Sequence, residues 1–190
     1  MRSLFRVLIG LSLAVVVTQP LSACAGPNSE NEALKETHQK IVKDYKTVSH
    51  ITASSLSEMD SKDYVLIDVR ESEEFAVSHI AGAIWVDPEI DADSFLSLYG
   101  DLISGRSVIF YCSVGVRSSR LAEKIQRSEA FQTPVQIYNL EAGVFGWHNE
   151  KRPLVQRSKD VIRSTEFIHP YNRWWGRMIN RDKLKKYNSE

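Results

Sequence analysis

The chain has 190 residues, a length that suits one domain with extensions. Its composition, 43% hydrophobic and 25% charged, is that of an ordinary globular protein and excludes fibrous and low-complexity classes. With 24 basic and 24 acidic residues the net charge is zero, so no overall basic excess indicates a nucleic-acid partner.

Residues 1–23 have the pattern of a secretory signal peptide. Arg2 and Arg6 precede an apolar run from Val7 to Val17, and small residues follow that run. The run is shorter than the roughly 20 residues that a membrane-spanning helix needs. A buried N-terminal helix is the alternative interpretation.

The end of this segment, Leu21-Ser22-Ala23-Cys24, resembles the lipobox of bacterial lipoproteins. The resemblance implies cleavage before Cys24, lipidation of that cysteine and a lipid anchor in the cell envelope. The expected location is the periplasmic face, and Ala25 rather than Asp after the cysteine implies the outer membrane in a Gram-negative cell, by analogy with enteric lipoproteins. Ordinary cleavage that leaves a free Cys24 thiol, or a disulfide between Cys24 and Cys112, are the competing accounts. Residues 24–47 then form a polar tether and an N-terminal helix.

Short apolar runs alternate with amphipathic stretches along the rest of the chain. The strands are rich in β-branched and aromatic residues, and two of the helices begin with acidic residues, Asp91 or Asp93 being the predicted cap of one. Such alternation predicts an α/β fold with a mostly parallel sheet of about five strands and helices on both faces. In chain order the predicted elements are helix 32–45, edge strand 51–52, strand 64–69, helix 71–77, strand 83–86, helix 91–103, strand 107–111, helix 118–130, strand 135–138 and helix 143–149.

Cys112 directly follows the predicted strand 107–111, at the sheet edge where ligand sites of α/β folds form. A loop this short before a helix turns backbone N–H groups inward, and the helix adds its positive N-terminal end. Both features, with a nearby arginine, favour the thiolate form of Cys112 and make it a candidate nucleophile. The predicted binding loop consists of Ser113, Val114, Gly115, Val116 and Arg117.

Three separated segments form a pattern, in the order VLIDVRESEEFAVSHIAGAIWV (65–86), VIFYCSVGVRSSRLAEKI (108–125) and VQIYNLEAGVFGWHNEKRPL (135–154). Together they resemble the rhodanese family, sulfurtransferases that carry sulfane sulfur as a cysteine persulfide. The resemblance implies a rhodanese-like three-layer sandwich over residues 48–156 and catalysis by Cys112. One departure is Ala142, which stands where the family often has a first glycine.

The resemblance also implies supporting roles for residues outside the loop. Asp68 and Arg70 are expected to brace the sheet edge, although a surface ion pair is the plainer interpretation. Glu74 is expected to pair with Arg70 at helical spacing. His79 is expected to cap and pack a turn rather than transfer protons, and Trp147 to belong to the core.

The spacing between Cys112 and Arg117, C-x4-R, distinguishes two chemistries. Protein tyrosine phosphatases and rhodanese-like cell-cycle phosphatases use C-x5-R, and Ser118 stands at that next position here. A serine cannot replace the bidentate grip of a guanidinium on phosphate, so sulfur transfer is favoured.

The implied donor is a small sulfur-containing anion of the thiosulfate type, oriented by Arg117. The implied acceptor is cyanide, a thiol or a protein, and neither a cofactor nor a metal is expected. A binding or redox-sensing module without turnover is the alternative function.

Residues 157–190 form a basic extension, with nine Lys or Arg against four Asp or Glu, whereas residues 24–156 hold thirteen against twenty. Trp174 and Trp175, between Arg173 and Arg177, fit either a membrane interface or docking on the domain. Docking is the favoured interpretation because a proline interrupts the segment. A nucleic-acid partner is not expected for an exported chain.

Overall fold

The computed structural model describes residues 29–132, 134–158 and 161–180. The predicted signal peptide and Cys24 therefore lie outside the described residues. In chain order the elements are α1 (Ser29–Asp44), β1 (Ser49–Ile51), α2 (Ala53–Glu58), β2 (Tyr64–Asp68), α3 (Ser72–Val77), β3 (Ile84–Trp85), α4 (Ala92–Ile103), β4 (Ser107–Tyr111), α5 (Val116–Arg127), β5 (Ile137–Leu140), α6 (Gly143–Asn149), β6 (Leu154–Ser158), β7 (Val161–Thr165) and a 3₁₀ helix (Trp175–Met178).

Five parallel strands form the main sheet, in the order β1-β5-β4-β2-β3. The predicted α/β fold, with a parallel sheet of about five strands flanked by helices, is confirmed. β4 lies in the centre, between β5 and β2, and is buried on both faces as its continuous apolar sequence requires. The loop after β4 therefore begins in the middle of the sheet's carboxyl edge.

Alternate residues of β4 face two different helical layers. Val108 and Phe110 pack in the cluster that contains the buried side chains of α4 and α5. Ile109 and Tyr111 pack in the cluster that contains those of α1, α2 and α6. This period-2 alternation divides the core into two parts, one on each face of the sheet. Helices, sheet and helices are thus the three layers of the sandwich.

Several element boundaries differ from the sequence predictions. Helix α5 begins at Val116 instead of residue 118, because Gly115 adopts a left-handed conformation that caps it. Strand β5 begins two residues later than predicted. Four elements were not predicted from the sequence, namely α2, β6, β7 and the 3₁₀ helix. Strand β7 is exposed almost throughout, so it carries no apolar alternation to detect.

The described part of the C-terminal extension packs on the rest of the chain. The predicted boundary between residues 156 and 157 falls inside β6, which pairs with β7 in a separate antiparallel sheet. Beyond β7, Ile168, Met178 and Ile179 are buried in the same cluster as α1 and α6. Within the described ranges, no helix is both long enough and apolar enough to cross a membrane.

Candidate active site around Cys112

Cys112 lies immediately after β4 and is buried, with 2% of its surface exposed. The start of α6 holds the backbone of this region in place. The amide of Val144 donates to the carbonyl oxygen of Cys112 at 2.9 Å, and the amide of Phe145 donates to that of Ser113 at 3.0 Å. The loop is therefore attached to two elements, the strand that precedes it and the helix that packs behind it.

Gly115 turns the loop back towards the cysteine. Its N–H donates to Cys112 Sγ at 3.2 Å, and its φ of 105° is one that side chains rarely adopt. A Cβ at this position would lie 3.0 Å from Nδ2 of Asn139. The N–H groups of the first turn of α5 have no partner within the helix itself, so this end of the helix favours negative charge.

Arg117 is the second residue of α5, and carboxylates surround its guanidinium. Nη2 donates to Oε2 of Glu74 at 2.8 Å and to Oγ of Ser113 at 3.0 Å, and Nη1 donates to Oε1 of Glu71 at 3.1 Å. Burial by itself would lower the pKa of Arg117, but negative charge at Cys112, Glu74 and Glu71 raises it. The expected donor-orienting arginine therefore has two acidic partners in the protein.

Glu74 connects α3 to the loop. Its side chain is 1% exposed, and it accepts a hydrogen bond from Ser113 Oγ at 2.7 Å besides the one from Arg117. The predicted pairing of Glu74 with Arg70 is wrong as a direct contact, because the Glu74 carboxylate binds Arg117, Ser113 and, in the capping box of α3, the Glu71 amide. The charge of Glu74 still helps to raise the pKa of Arg70.

Arg70 instead pairs with Asp68 beneath the sheet edge. Its Nε donates to Oδ1 of Asp68 at 2.9 Å, and Nη2 donates to Oδ2 at 2.6 Å and to the carbonyl oxygen of Ser78 at 2.6 Å. Both side chains are fully buried, which excludes a surface ion pair. Burial works to lower the pKa of Arg70, yet the Asp68 carboxylate raises it overall. The pair ties β2 to the turn after α3.

His79 and Trp147 have their hydrogen-bond partners outside the Cys112 loop. Nδ1 of His79 donates to the carbonyl oxygen of Phe75 at 3.1 Å, its ring stacks on the Phe75 ring, and its backbone bridges to Val155. Burial lowers the pKa of His79, so the neutral ring is favoured. Trp147 is buried, and its indole N–H donates to the carbonyl oxygen of Pro153 at 2.9 Å.

A buried polar chain, which the sequence analysis missed, supports the loop from behind. Ser118 Oγ donates to Oδ1 of Asn139 at 2.6 Å, and Nδ2 of Asn139 lies 3.3 Å from Nδ1 of His50. Burial and the nearby His38 lower the pKa of His50 to about 4. These residues come from α5, β5 and β1, and no local motif marks them.

A cavity of about 160 Å³ opens beside Cys112. Two of its walls, Tyr171 and Trp175, belong to the C-terminal extension, and the Tyr171 ring lies 4.7 Å from Cζ of Arg117. Trp174, by contrast, is 58% exposed. The residues that line the cavity are Cys112, Ser113, Val114, Val116, Arg117, Tyr171 and Trp175.

The described ranges contain no cluster of three or more His, Cys, Asp or Glu side chains arranged to hold a metal ion. The groups beside the cavity include the Cys112 thiol, the Gly115 N–H, the Ser113 and Tyr171 hydroxyls and the doubly paired guanidinium of Arg117.

Comparison with known proteins matches residues 52–150 to the rhodanese-like domain family. A tRNA uridine(34) hydroxylase of Bacillus pumilus is 30% identical over 129 residues, which cover 66% of this chain. The uncharacterized protein YibN of Escherichia coli is 27% identical over 124 residues, 65% of this chain and 81% of YibN. Thiosulfate sulfurtransferase from Pseudomonas aeruginosa superposes with a TM-score of 0.53 at 18% identity, over 71% of this chain and 25% of that one.

These similarities differ in how much of each protein they cover. The aligned region spans only 39% of the Bacillus pumilus hydroxylase and 32% of a second such hydroxylase, from Aster yellows witches'-broom phytoplasma. The similarity to the Pseudomonas aeruginosa enzyme, at its low identity, concerns the fold alone.

Proposed function

Because the chain belongs to the rhodanese-like domain family, which matches residues 52–150, we propose that it is a sulfurtransferase whose Cys112 carries sulfane sulfur as a persulfide. The observation that carries the proposal is the hydrogen bond from the Gly115 N–H to Cys112 Sγ, at the positive end of α5. A sulfur anion, either the thiolate or the persulfide, is stabilised by such a donor and helix terminus.

In the proposed first half-reaction, the Cys112 thiolate attacks the outer sulfur of a thiosulfate-like donor. A bond forms between Sγ and that sulfur, and the sulfur–sulfur bond within the donor breaks. Its electron pair leaves on the remaining anion, which is sulfite when thiosulfate is the donor. No proton and no external oxidant or reductant is needed.

In the second half-reaction, cyanide, a thiol or a protein nucleophile attacks the outer sulfur of the persulfide. The sulfur–sulfur bond to Cys112 breaks, and its electron pair returns to Sγ as the thiolate. This is double displacement through one covalent intermediate. Backbone amides of the loop stabilise the charged sulfur in both states, as an oxyanion hole does for oxygen.

The position of Arg117 supports sulfur transfer over phosphate hydrolysis. Its guanidinium is engaged by Glu71 and Glu74 rather than free to grip a phosphoryl group in two places. The next residue, Ser118, is fully buried and donates to Asn139 behind the loop. Neither Arg117 nor Ser118 is therefore placed to bind a phosphoryl group as the arginine of a C-x5-R loop does.

The test is the mass of the purified chain after incubation with thiosulfate. We expect the gain of one sulfur atom, lost again when cyanide is added with release of thiocyanate. The chain has two cysteines, so Cys112→Ser and Cys24→Ser form a matched pair. Sulfur uptake is expected to disappear in Cys112→Ser and to persist in Cys24→Ser.

Two other outcomes would change the proposal. Uptake of sulfur without release to cyanide or to any thiol would favour a binding or redox-sensing module over an enzyme. A Cys112 that alkylates readily but takes up no sulfur from thiosulfate or from an organic donor would reject sulfur transfer altogether.

For location, we propose lipid anchoring of Cys24 in the cell envelope, facing the periplasm. The support is the Leu21-Ser22-Ala23-Cys24 motif that follows the apolar run of residues 7–17. Expression of the full chain in a bacterium, followed by membrane fractionation, tests the proposal. Cys24→Ser should move the protein from the membrane to the soluble fraction, whereas Cys112→Ser should leave it in the membrane.

A further inference from the structure

The C-terminal extension forms part of the wall beside the candidate nucleophile. The segment 166–180 is held by buried side chains and by hydrogen bonds to α6, including Asn149 Nδ2 to the carbonyl oxygen of Met178 at 2.8 Å. This anchoring brings Tyr171 and Trp175 to the cavity that Cys112 lines. Both lie outside residues 52–150, the range that matches the family.

Tyr171 is held in a conformation that bulky residues rarely adopt. Its φ is 60°, in the left-handed region that costs a non-glycine residue roughly 1 kcal/mol or more. In this conformation the ring lies over the guanidinium of Arg117, 4.7 Å from Cζ. The aromatic face therefore covers the cation that an anionic donor would otherwise meet.

The charge around the cavity is unfavourable for a dianion. Arg117 contributes one positive charge, while its partners Glu71 and Glu74 contribute two negative charges. The Cys112 thiolate adds a third negative charge during the reaction. Loop amides can stabilise the sulfur that is transferred, but the far end of the donor meets no unpaired cation among the cavity-lining residues.

The cavity is small, and its outer walls are apolar. At about 160 Å³ it is smaller than the roughly 300–1,000 Å³ of pockets for drug-sized ligands. Val114, Val116, Tyr171 and Trp175 supply the apolar part of the lining. The lining offers a methyl group mainly apolar contacts, whereas a further charged oxygen would meet no cation there except Arg117, which is already paired with two carboxylates.

We propose that Tyr171 and Trp175 select an organic sulfane-sulfur donor, with a small apolar group next to the reacting sulfurs, over the inorganic thiosulfate dianion. This inference rests on the proposed sulfurtransferase function and names the class of its donor. For methanethiosulfonate, Cys112 Sγ bonds to the outer sulfur and the donor's sulfur–sulfur bond breaks. The electron pair leaves on methanesulfinate, so charge and atoms balance without a proton or a redox partner.

Methanethiosulfonate and thiosulfate make a matched pair of probes, because a methyl group in one replaces a charged oxygen in the other. We expect the kcat/KM of the full chain, with cyanide as acceptor, to be about 10-fold or more higher for methanethiosulfonate. Equal or better use of thiosulfate would overturn the inference and leave the sulfurtransferase proposal intact. No sulfur uptake from either donor would instead reject the sulfurtransferase itself.

Variants in the extension test the two aromatic residues. The preference for methanethiosulfonate is expected to fall by about 10-fold in Trp175→Leu and in Tyr171→Leu. Phe167→Leu is the matched control, since Phe167 is exposed in the same extension and does not line the cavity, and it should keep the wild-type preference. If Trp175→Leu does not fold, the more exposed Tyr171→Leu decides. If a folded Tyr171→Leu variant kept the wild-type preference, the proposed role of Tyr171 in donor selection would be wrong.

Discussion

Arg117 and Glu74 form an ion pair of 2.8 Å between Nη2 and Oε2, with the carboxylate 1% exposed and the guanidinium 20% exposed. Glu71 completes the arrangement from a side chain that is 50% exposed. One cation thus holds a buried and an exposed carboxylate at the entrance to the candidate site. This relationship fixes the start of α3 against the start of α5.

The two carboxylates should differ sharply in their contributions to stability. Glu74→Gln is expected to lower the free energy of unfolding by about 2 kcal/mol, because it leaves a partly buried guanidinium with a weaker partner. Glu71→Gln, at an exposed position, is expected to cost less than about 1 kcal/mol. Urea unfolding measures both. Equal losses in the two variants would contradict the structural difference between them.

Glu74→Gln should also change the preference between the two sulfur donors. Glu71→Gln should change it less, because solvent already screens the exposed Glu71 carboxylate. Removal of the buried negative charge leaves more of the Arg117 charge available to the cavity. We therefore expect the preference for methanethiosulfonate over thiosulfate to fall in Glu74→Gln, measured as the ratio of the two kcat/KM values. A preference that rises in this variant would contradict the charge argument.

Gly143 is expected to tolerate no side chain. Its φ is +55°, and a Cβ would lie 2.3 Å from the carbonyl oxygen of Cys112 and 2.7 Å from that of Ser113. Gly143→Ala should therefore lower the free energy of unfolding by about 3 kcal/mol or more and displace the loop. Thermal unfolding and the rate of persulfide formation measure the two effects.

Gly100→Ala is the matched control for this substitution. Gly100 lies inside α4, where a Cβ would meet nothing within 4 Å. Here alanine should raise the free energy of unfolding by about 0.5–1 kcal/mol because glycine weakens a helix interior. If Gly143→Ala raised the free energy of unfolding as Gly100→Ala is expected to do, the inference that α6 lies too close to the loop for a side chain at position 143 would be wrong.

The buried pair of Asp68 and Arg70 should depend on the shape of the guanidinium as well as its charge. Lysine cannot reach both Asp68 and the Ser78 carbonyl in the same fork, so Arg70→Lys is expected to cost about 3 kcal/mol. Arg127→Lys, in an exposed pair with Glu123, should change stability by less than about 0.5 kcal/mol. Chemical denaturation of both variants checks the contrast, and similar small losses would argue against a buried role for Arg70.

His50 should make stability depend on pH. Its pKa is about 4 in the folded protein, below the ordinary value of 6.5, because burial and His38 disfavour the charged ring. As pH falls, the unfolded state therefore binds a proton at His50 before the folded state does, which favours unfolding. The contribution of neutral His50 to the free energy of unfolding is complete above pH 6.5 and is lost as pH falls towards 4. The loss is on the order of 1–2 kcal/mol, since His50 is only half-buried and solvent screens part of the effect.

His50→Gln isolates this effect. The variant keeps a polar side chain near Asn139 but cannot titrate, so its free energy of unfolding should vary less between pH 7 and pH 4.5 than that of the wild type. His79, whose pKa is also lowered, remains in both proteins and contributes equally. The same pH dependence in the two proteins would rule out His50 as the source.

The sequence by itself determined the sheet and the place of the cysteine. Apolar runs with β-branched residues mark β2 and β4, and a cysteine followed by glycine and arginine marks the end of β4. These are local patterns, because strand propensity, burial and the left-handed turn at Gly115 depend on neighbouring residues.

Only the tertiary structure decided which groups meet at the site. The bond between Ser113 and Glu74 joins residues 39 positions apart, and Asn139 meets His50 across 89 positions. Tyr171 reaches Arg117 from beyond β7, along a segment for which the sequence favoured docking on the domain but did not indicate where on the domain it would dock. Such pairings depend on how the helices and the extension pack on the sheet. That packing is driven by the burial of apolar surface over the whole chain, which no local sequence pattern specifies.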